Sequence, residues 1–172
     1  LTRRSFLFLT FLSAVLQVII VVTGNNPSSY TQIINCIDKK GYIYIKKSNY
    51  PKAIECYTEE LKLAEKVDNK SAQAYSINNI AIVYYKEKNY DEALQYYQRA
   101  FDINKEIDNR QGIGLAYNNI GEIYKIKGVY SKAFEYYTKA VNIFEEIEYT
   151  SGRAYALCNL CETYLYSGDP NN

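Results

Sequence analysis

The residues best suited to chemistry are four cysteines and a few acidic pairs, in a 172-residue chain that contains no histidine. Without histidine there is no imidazole acid–base catalysis, no Ser-His-Asp or Cys-His pair and no imidazole metal ligand. Cys158 and Cys161 are spaced C-x-x-C, as redox and zinc motifs are. A structural zinc needs four ligands, and neither a second C-x-x-C nor a histidine is present to complete the set. The pair is therefore read as structural thiols. Cys36 and Cys56 stand apart from it, and a bridge between them is left open for a chain in an oxidising compartment. Glu59-Glu60 and Glu145-Glu146 read as solvated helix faces. Glu122 and Glu162 lie 40 residues apart, too far along the chain to belong to one helix. No constellation supports an enzyme, and no cofactor or metal is expected. Twenty basic against 19 acidic residues give a formal net charge of +1. That balance offers no basic patch for nucleic acid.

The elements that must position these residues fall into two parts. Residues 1–24 begin with Arg3 and Arg4 and continue through an apolar run, Phe6 to Val22, broken only by Thr10, Ser13 and Gln17. A basic start, an apolar stretch and small residues near Gly24 describe a signal peptide or an uncleaved signal anchor. "TRRSFL" also resembles a twin-arginine export signal. Each of these readings holds the positive charges inside and places the rest of the chain outside the cytoplasm, periplasmic or membrane-anchored. A buried N-terminal core helix is the alternative, but it leaves the missing polar face unexplained.

Residues 25–172 repeat. Shifting Lys70–Ile107 by 40 positions onto Arg110–Ile147 preserves Asn78, Asn79, Ile80, Tyr84, Tyr90, Ala93, Tyr96, Tyr97 and Ala100, among others. A fixed period of this size marks stacked supersecondary units. Repeats are expected at about 30–67, 70–107 and 110–147, with the first helix of a fourth at 150–168. Within a unit, Ile77, Ile80, Ala81 and Tyr84 fall on one helical face, and Ala93, Tyr97, Ala100 and Phe101 on another. Asn89 and the Asp-Asn pairs of "VDNK" and "IDNR" read as turns between helices. Ala81, Gly121 and Cys161 share a slot for small residues, where helices approach closely. The fourth unit stops near "YSGDPNN". Either this helix caps the stack or the chain continues beyond Asn172, and the missing initiator Met favours continuation.

The stretch "NNIGEIYKIKGVYSKAFEYYTKAVNI" resembles a tetratricopeptide repeat. Ile120-Gly121, Tyr124, Tyr130, Ala133, Tyr137 and Ala140 match the family's pattern, and the likeness covers about Tyr30 to Gly168. The 40-residue spacing resembles the family's longer-repeat branch, found in bacterial signalling regulators and in motor and polarity adaptors. Extracytoplasmic repeat regions of sensor kinases and regulators from Bacteroidetes-like bacteria are similar in character. The resemblance implies an all-α, right-handed superhelical solenoid of antiparallel helix pairs, preceded by the N-terminal hydrophobic signal or anchor helix. Repeat one departs from the pattern, with Lys40 at an aliphatic position and Glu60 in place of the last alanine. It is expected to act as a polar-edged cap.

In this family the first helices line a concave groove. The resemblance therefore implies a groove built from the stripe opposite the packing face. That stripe holds Tyr75, Asn78, Asn79, Ile82, Tyr85 and Lys86 in repeat two, and Leu115, Asn118, Asn119, Glu122 and Lys125 in repeat three. In repeat four it holds Tyr155, Asn159 and Glu162. Amides both donate and accept, which suits the backbone of a bound peptide or a partner helix. Asn118 and Asn78 are expected to face the ligand. Asn79, Asn119 and Asn159 serve equally well as ties between helices. The mixed charges do not reproduce the basic clamp with which some members grip a C-terminal carboxylate. The chain is thus expected to bind protein or peptide, with membrane contact only through residues 1–24 if they stay uncleaved. Its expected place is the sensory or interaction region of a cell-envelope signalling protein, or a self-contained exported scaffold.

Overall fold

The computed structural model describes residues 27–168; the expected signal or anchor segment, residues 1–24, lies outside the described residues. Seven helices and no strand occur among the described residues: α1 Pro27–Lys46, α2 Tyr50–Lys66, α3 Lys70–Lys86, α4 Tyr90–Glu106, α5 Arg110–Ile126, α6 Tyr130–Glu146 and α7 Thr150–Ser167. None of them is long and apolar enough to cross a membrane.

The helix boundaries follow from turn chemistry repeated every 20 residues. Ser48, Asp68, Lys88, Asp108, Gly128 and Glu148 all take a left-handed backbone, with φ between 50 and 72°. Each turn is closed by an amide that bonds back to a carbonyl of the helix just ended, as from Asn49 to Tyr44 and from Asn69 to Ala64, both at 2.9 Å. Three of the residues that follow are asparagines whose side chains accept a helix-starting amide: Asn49 from Lys52, Asn69 from Ala72 and Asn109 from Gly112. Asn89 makes no such bond; Asp91 and Glu92 in the first turn of α4 favour that helix start electrostatically instead.

The described residues divide into two compact units, with the boundary between Val83 and Tyr84, inside α3. In the first, Ile33, Ile37, Ala53, Tyr57, Ala64, Ile77, Ile80 and Ala81 are buried. In the second, Ala93, Tyr97 and Ala100 of α4 are buried, as are Ile113, Ala116, Ile120 and Ile123 of α5 and Ala133, Tyr137, Ala140 and Phe144 of α6. The repeat slot of Tyr57, Tyr97 and Tyr137 is buried every time, and each such ring contributes about 1.5–3 kcal/mol of apolar burial. These rings explain the slot for small residues. A Cβ added at Gly41 would lie 2.7 Å from the Tyr57 ring, and one at Gly121 would lie 2.9 Å from the Tyr137 ring.

Two expectations are corrected. Cys161 shares the small-residue slot but is exposed, as is Cys158, because among the described residues no following helix covers α7 as α6 covers α5. Glu60 is no solvated edge: it is fully buried, while its neighbour Glu59 is exposed. The α2 face that carries Ala53, Tyr57 and Ala64 carries Glu60 inward with them. The four cysteines are free thiols, and burial pushes the Cys56 thiol up to about 11.

Candidate interaction face

Each first helix buries one side in its unit and presents the other. Tyr75 on α3, Leu115 on α5 and Tyr155 on α7 occupy the same repeat slot, and all three stay exposed, at 50%, 39% and 58%. Large side chains with apolar bodies are thus left uncovered at one slot of three successive repeats. On α5 and α7, Ile126 and Tyr166 share a second exposed slot. On α3, Lys86 takes that slot and is exposed, while Asn78, Ile82 and Tyr85 are half-buried.

The asparagines divide differently from the expectation. Asn118 is 2% exposed and its side-chain carbonyl accepts from the Nδ2 of Asn159 at 3.0 Å. It is therefore a buried tie between α5 and α7 and not an open surface residue; this corrects its assignment as the better groove contact. Asn119, for which tie and ligand contact were equal expectations, is half-buried. The same step of 41 residues joins Asp38 to Asn79, whose Nδ2 donates at 3.4 Å. Tyr75 also donates to that Asp38 oxygen, at 3.2 Å. The reason is geometric. A helical wheel ranks positions around one helix, but each tie joins one slot to the next slot of the following repeat, so Asn118 is buried through Asn159, and Asn79 and Asn159 are themselves buried ties.

Glu122 gathers the polar groups of the second unit. The Tyr137 hydroxyl donates to it at 2.8 Å, the Tyr85 hydroxyl at 3.4 Å, and Lys125 pairs with it at 2.9 Å. Lys125 also reaches Glu162 at 3.0 Å. Burial opposes the charge on Lys125, but the bonds to Glu122 and Glu162 outweigh it and raise its pKa. Burial, with the Glu122 carboxylate second, pushes the Tyr85 phenol up to about 12 and raises that of Tyr137 as well. These phenols stay neutral donors near pH 7, and their hydrogen bonds hold Glu122 in place. No group of three or more potential metal ligands occurs among the described residues.

Sequence reasoning singled out neither Asp38 nor Asn104. Asp38 stands in the slot of Asn78 and Asn118, so the repeat itself carried the signal. Asn104 stands in the slot of Phe144; it is buried, donates to the Ala100 carbonyl at 2.9 Å and accepts from Asn109 at 2.8 Å. The slot holds Ala64, Asn104 and Phe144, and a polar residue between two apolar ones was the cue.

Family models described as tetratricopeptide repeat match residues 33–106 and 115–146. No curated protein matches the sequence. Among solved structures, BtubC (BKLC) from P. vanneervenii is similar at a TM-score of 0.76 and 19% identity, over 93% of this chain and 65% of that one. The tetratricopeptide domain of Arabidopsis FLU is similar at 0.62 and 22% identity, over 68% of this chain and 98% of that one. A Signal Transduction ATPase with Numerous Domains from Pyrococcus horikoshii, with a tetratricopeptide repeat sensor, is similar at 0.77 and 19% identity, over 93% of this chain and 24% of that one. At such identities the likeness establishes an all-α helical repeat fold. The chain spans 65% of the first of these proteins and 24% of the last.

Proposed function

The chain belongs to the tetratricopeptide-repeat family, and from that premise we propose that it is a non-enzymatic scaffold that binds a protein or peptide on the outward faces of its first helices. The observation that carries this reading is the recurrence of an exposed apolar residue at one slot: Tyr75, Leu115 and Tyr155. Side chains such as tyrosine supply large contact area with few torsions to freeze, which is why they concentrate binding energy. In the second unit this face also carries the Glu122–Lys125–Glu162 pairs, which set a polar rim of both signs. A partner there would be recognised by its apolar side chains, with charge complementarity in a supporting role.

The same proposal places the scaffold outside the cytoplasm, as the sensory or interaction region of a cell-envelope signalling protein. Arg3, Arg4 and the apolar run from Phe6 to Val22 support the export step. The sensor role named for the similar Pyrococcus protein supports the signalling step at the level of fold.

One experiment addresses both. A photo-crosslinking residue is placed at Tyr155 in the full chain in its native cell, with exposed Asp102 on α4 as the control position. After irradiation the cells are fractionated and the adducts weighed. The expected result is a defined adduct from position 155 and none from 102, in the exported or membrane fraction. A soluble cytoplasmic chain that retains residues 1–24 refutes export. Equal labelling from both positions refutes the face.

A further inference from the structure

Glu60 stands where the later repeats have Ala100 and Ala140. It is 0% exposed, and neither carboxylate oxygen has a hydrogen-bond partner among the described residues. Buried polar side chains are nearly always paired, so an orphan of this kind calls for a role. The nearby Ser76 hydroxyl does not supply one, since it donates to the Ala72 carbonyl at 2.9 Å. Glu60 lines a pocket of about 370 Å³ in the first unit, between α1, α2 and α3. Asp38 lines it too, its Oδ1 already accepting from Tyr75 and Asn79. Ile34 and Ala72 form apolar wall, and no cationic side chain is among the lining residues.

Two carboxylates, one of them unpaired, facing a partly apolar recess call for a cation on a short apolar stem. A hard divalent metal would seek six or more oxygen ligands, and no group of three or more His, Cys, Asp or Glu is present among the described residues. We propose that this pocket binds an alkylammonium group, with its N–H donors on the Glu60 carboxylate, its charge also facing Asp38, and its stem against Ile34 and Ala72. The Tyr75 ring at the rim adds an aromatic surface to which a cation is attracted. A lysine side chain of a partner protein and a free amine share this chemistry.

The ionisation of Glu60 sets the pH dependence. Burial, then the Asp38 charge on α1, push its carboxyl up to about 7, and the nearby Ser76 hydroxyl, whose proton goes to the Ala72 carbonyl, lowers it only in part. The other titratable groups facing it are Tyr75 on α3 and Cys56 and Tyr57 on its own helix, all raised and neutral near pH 7. Binding should therefore be about tenfold tighter at pH 8 than at pH 6, following the ionised fraction of Glu60.

The test is an NMR titration of the full 172-residue chain with n-butylammonium and with Nα-acetyl-lysine methylamide, and with n-butanol as the neutral control. At pH 8 both ammonium probes should give saturable shifts at Tyr75 and Asn35, and butanol should give none. Glu60→Gln, which keeps the shape, and Glu60→Ala, which restores the residue of the later repeats, should each weaken binding at least tenfold while circular dichroism confirms the fold. Tighter binding of the lysine derivative identifies a partner side chain as the source; tighter binding of butylammonium identifies a free amine. Absence of saturable shifts at pH 8, or both variants titrating like the unchanged chain, overturns the proposal. The site is built from the first unit alone, so that result leaves the face on α5 and α7 untouched.

Discussion

A buried carboxyl without a partner should reveal itself in how stability follows pH. The folded chain holds the Glu60 carboxyl up to about 7, against an ordinary value of 4.5. Below about pH 4.5 both folded and unfolded chains carry the proton, and Glu60 imposes no charge penalty. As pH rises from there to 7 the unfolded chain releases its proton first, so the folded state binds more protons and loses stability. The loss is on the order of 3 kcal/mol across that window. Glu60→Gln removes the titration but keeps the volume. The stability gap between variant and unchanged chain should be small at pH 4 and wide at pH 8, in favour of the variant. A gap that does not change with pH would show that the carboxyl titrates alike in the folded and unfolded chains, and that burial does not raise it. The sequence marked Glu60 as odd, since it breaks an alanine slot, but could not tell a polar edge from a polar cavity. Only the helices packed around α2 decide that.

At the scale of elements, the repeat period and the packing slots were legible from the residues alone. Ile80, Ala93, Tyr97 and Ala100 recur 40 residues later and are buried where the pattern placed them. The turns were legible too, because Asp68 and Asp108 take the left-handed backbone beside capping Asn69 and Asn109. What the pattern could not rank was Asn118 against Asn119. Their burial depends on the next repeat's first helix, through the bond from Asn159. Asn118→Ala would leave the buried Asn159 amide without its partner and should cost about 1–3 kcal/mol. Asn159→Ala should cost a similar amount, and the double variant should fall clearly short of the sum, as coupled partners do. Thermal melts of the three variants measure this. Strict additivity would dissolve the tie, and an unchanged melting temperature for Asn118→Ala would return that residue to the ligand-facing list.

For the whole molecule, the family and the all-α repeat fold came through in the sequence because they rest on periodicity, which is a property of the chain itself. The choice of partner did not, because it depends on what a second molecule offers. The near-neutral charge and the self-paired Glu122, Lys125 and Glu162 leave the exposed apolar slot as the feature that distinguishes the face. If that slot carries binding, truncating it should weaken the complex without touching the fold, since Leu115 and Tyr155 lie outside the core. The most direct measurement is the dissociation constant of the crosslinked partner, once purified, for the unchanged chain and for the double variant Leu115→Ala, Tyr155→Ala. Two interface side chains of this size contribute roughly 1–2 kcal/mol each, so a loss of about 30- to 1000-fold is expected, with unchanged helicity and melting temperature. An unchanged dissociation constant would contradict the account.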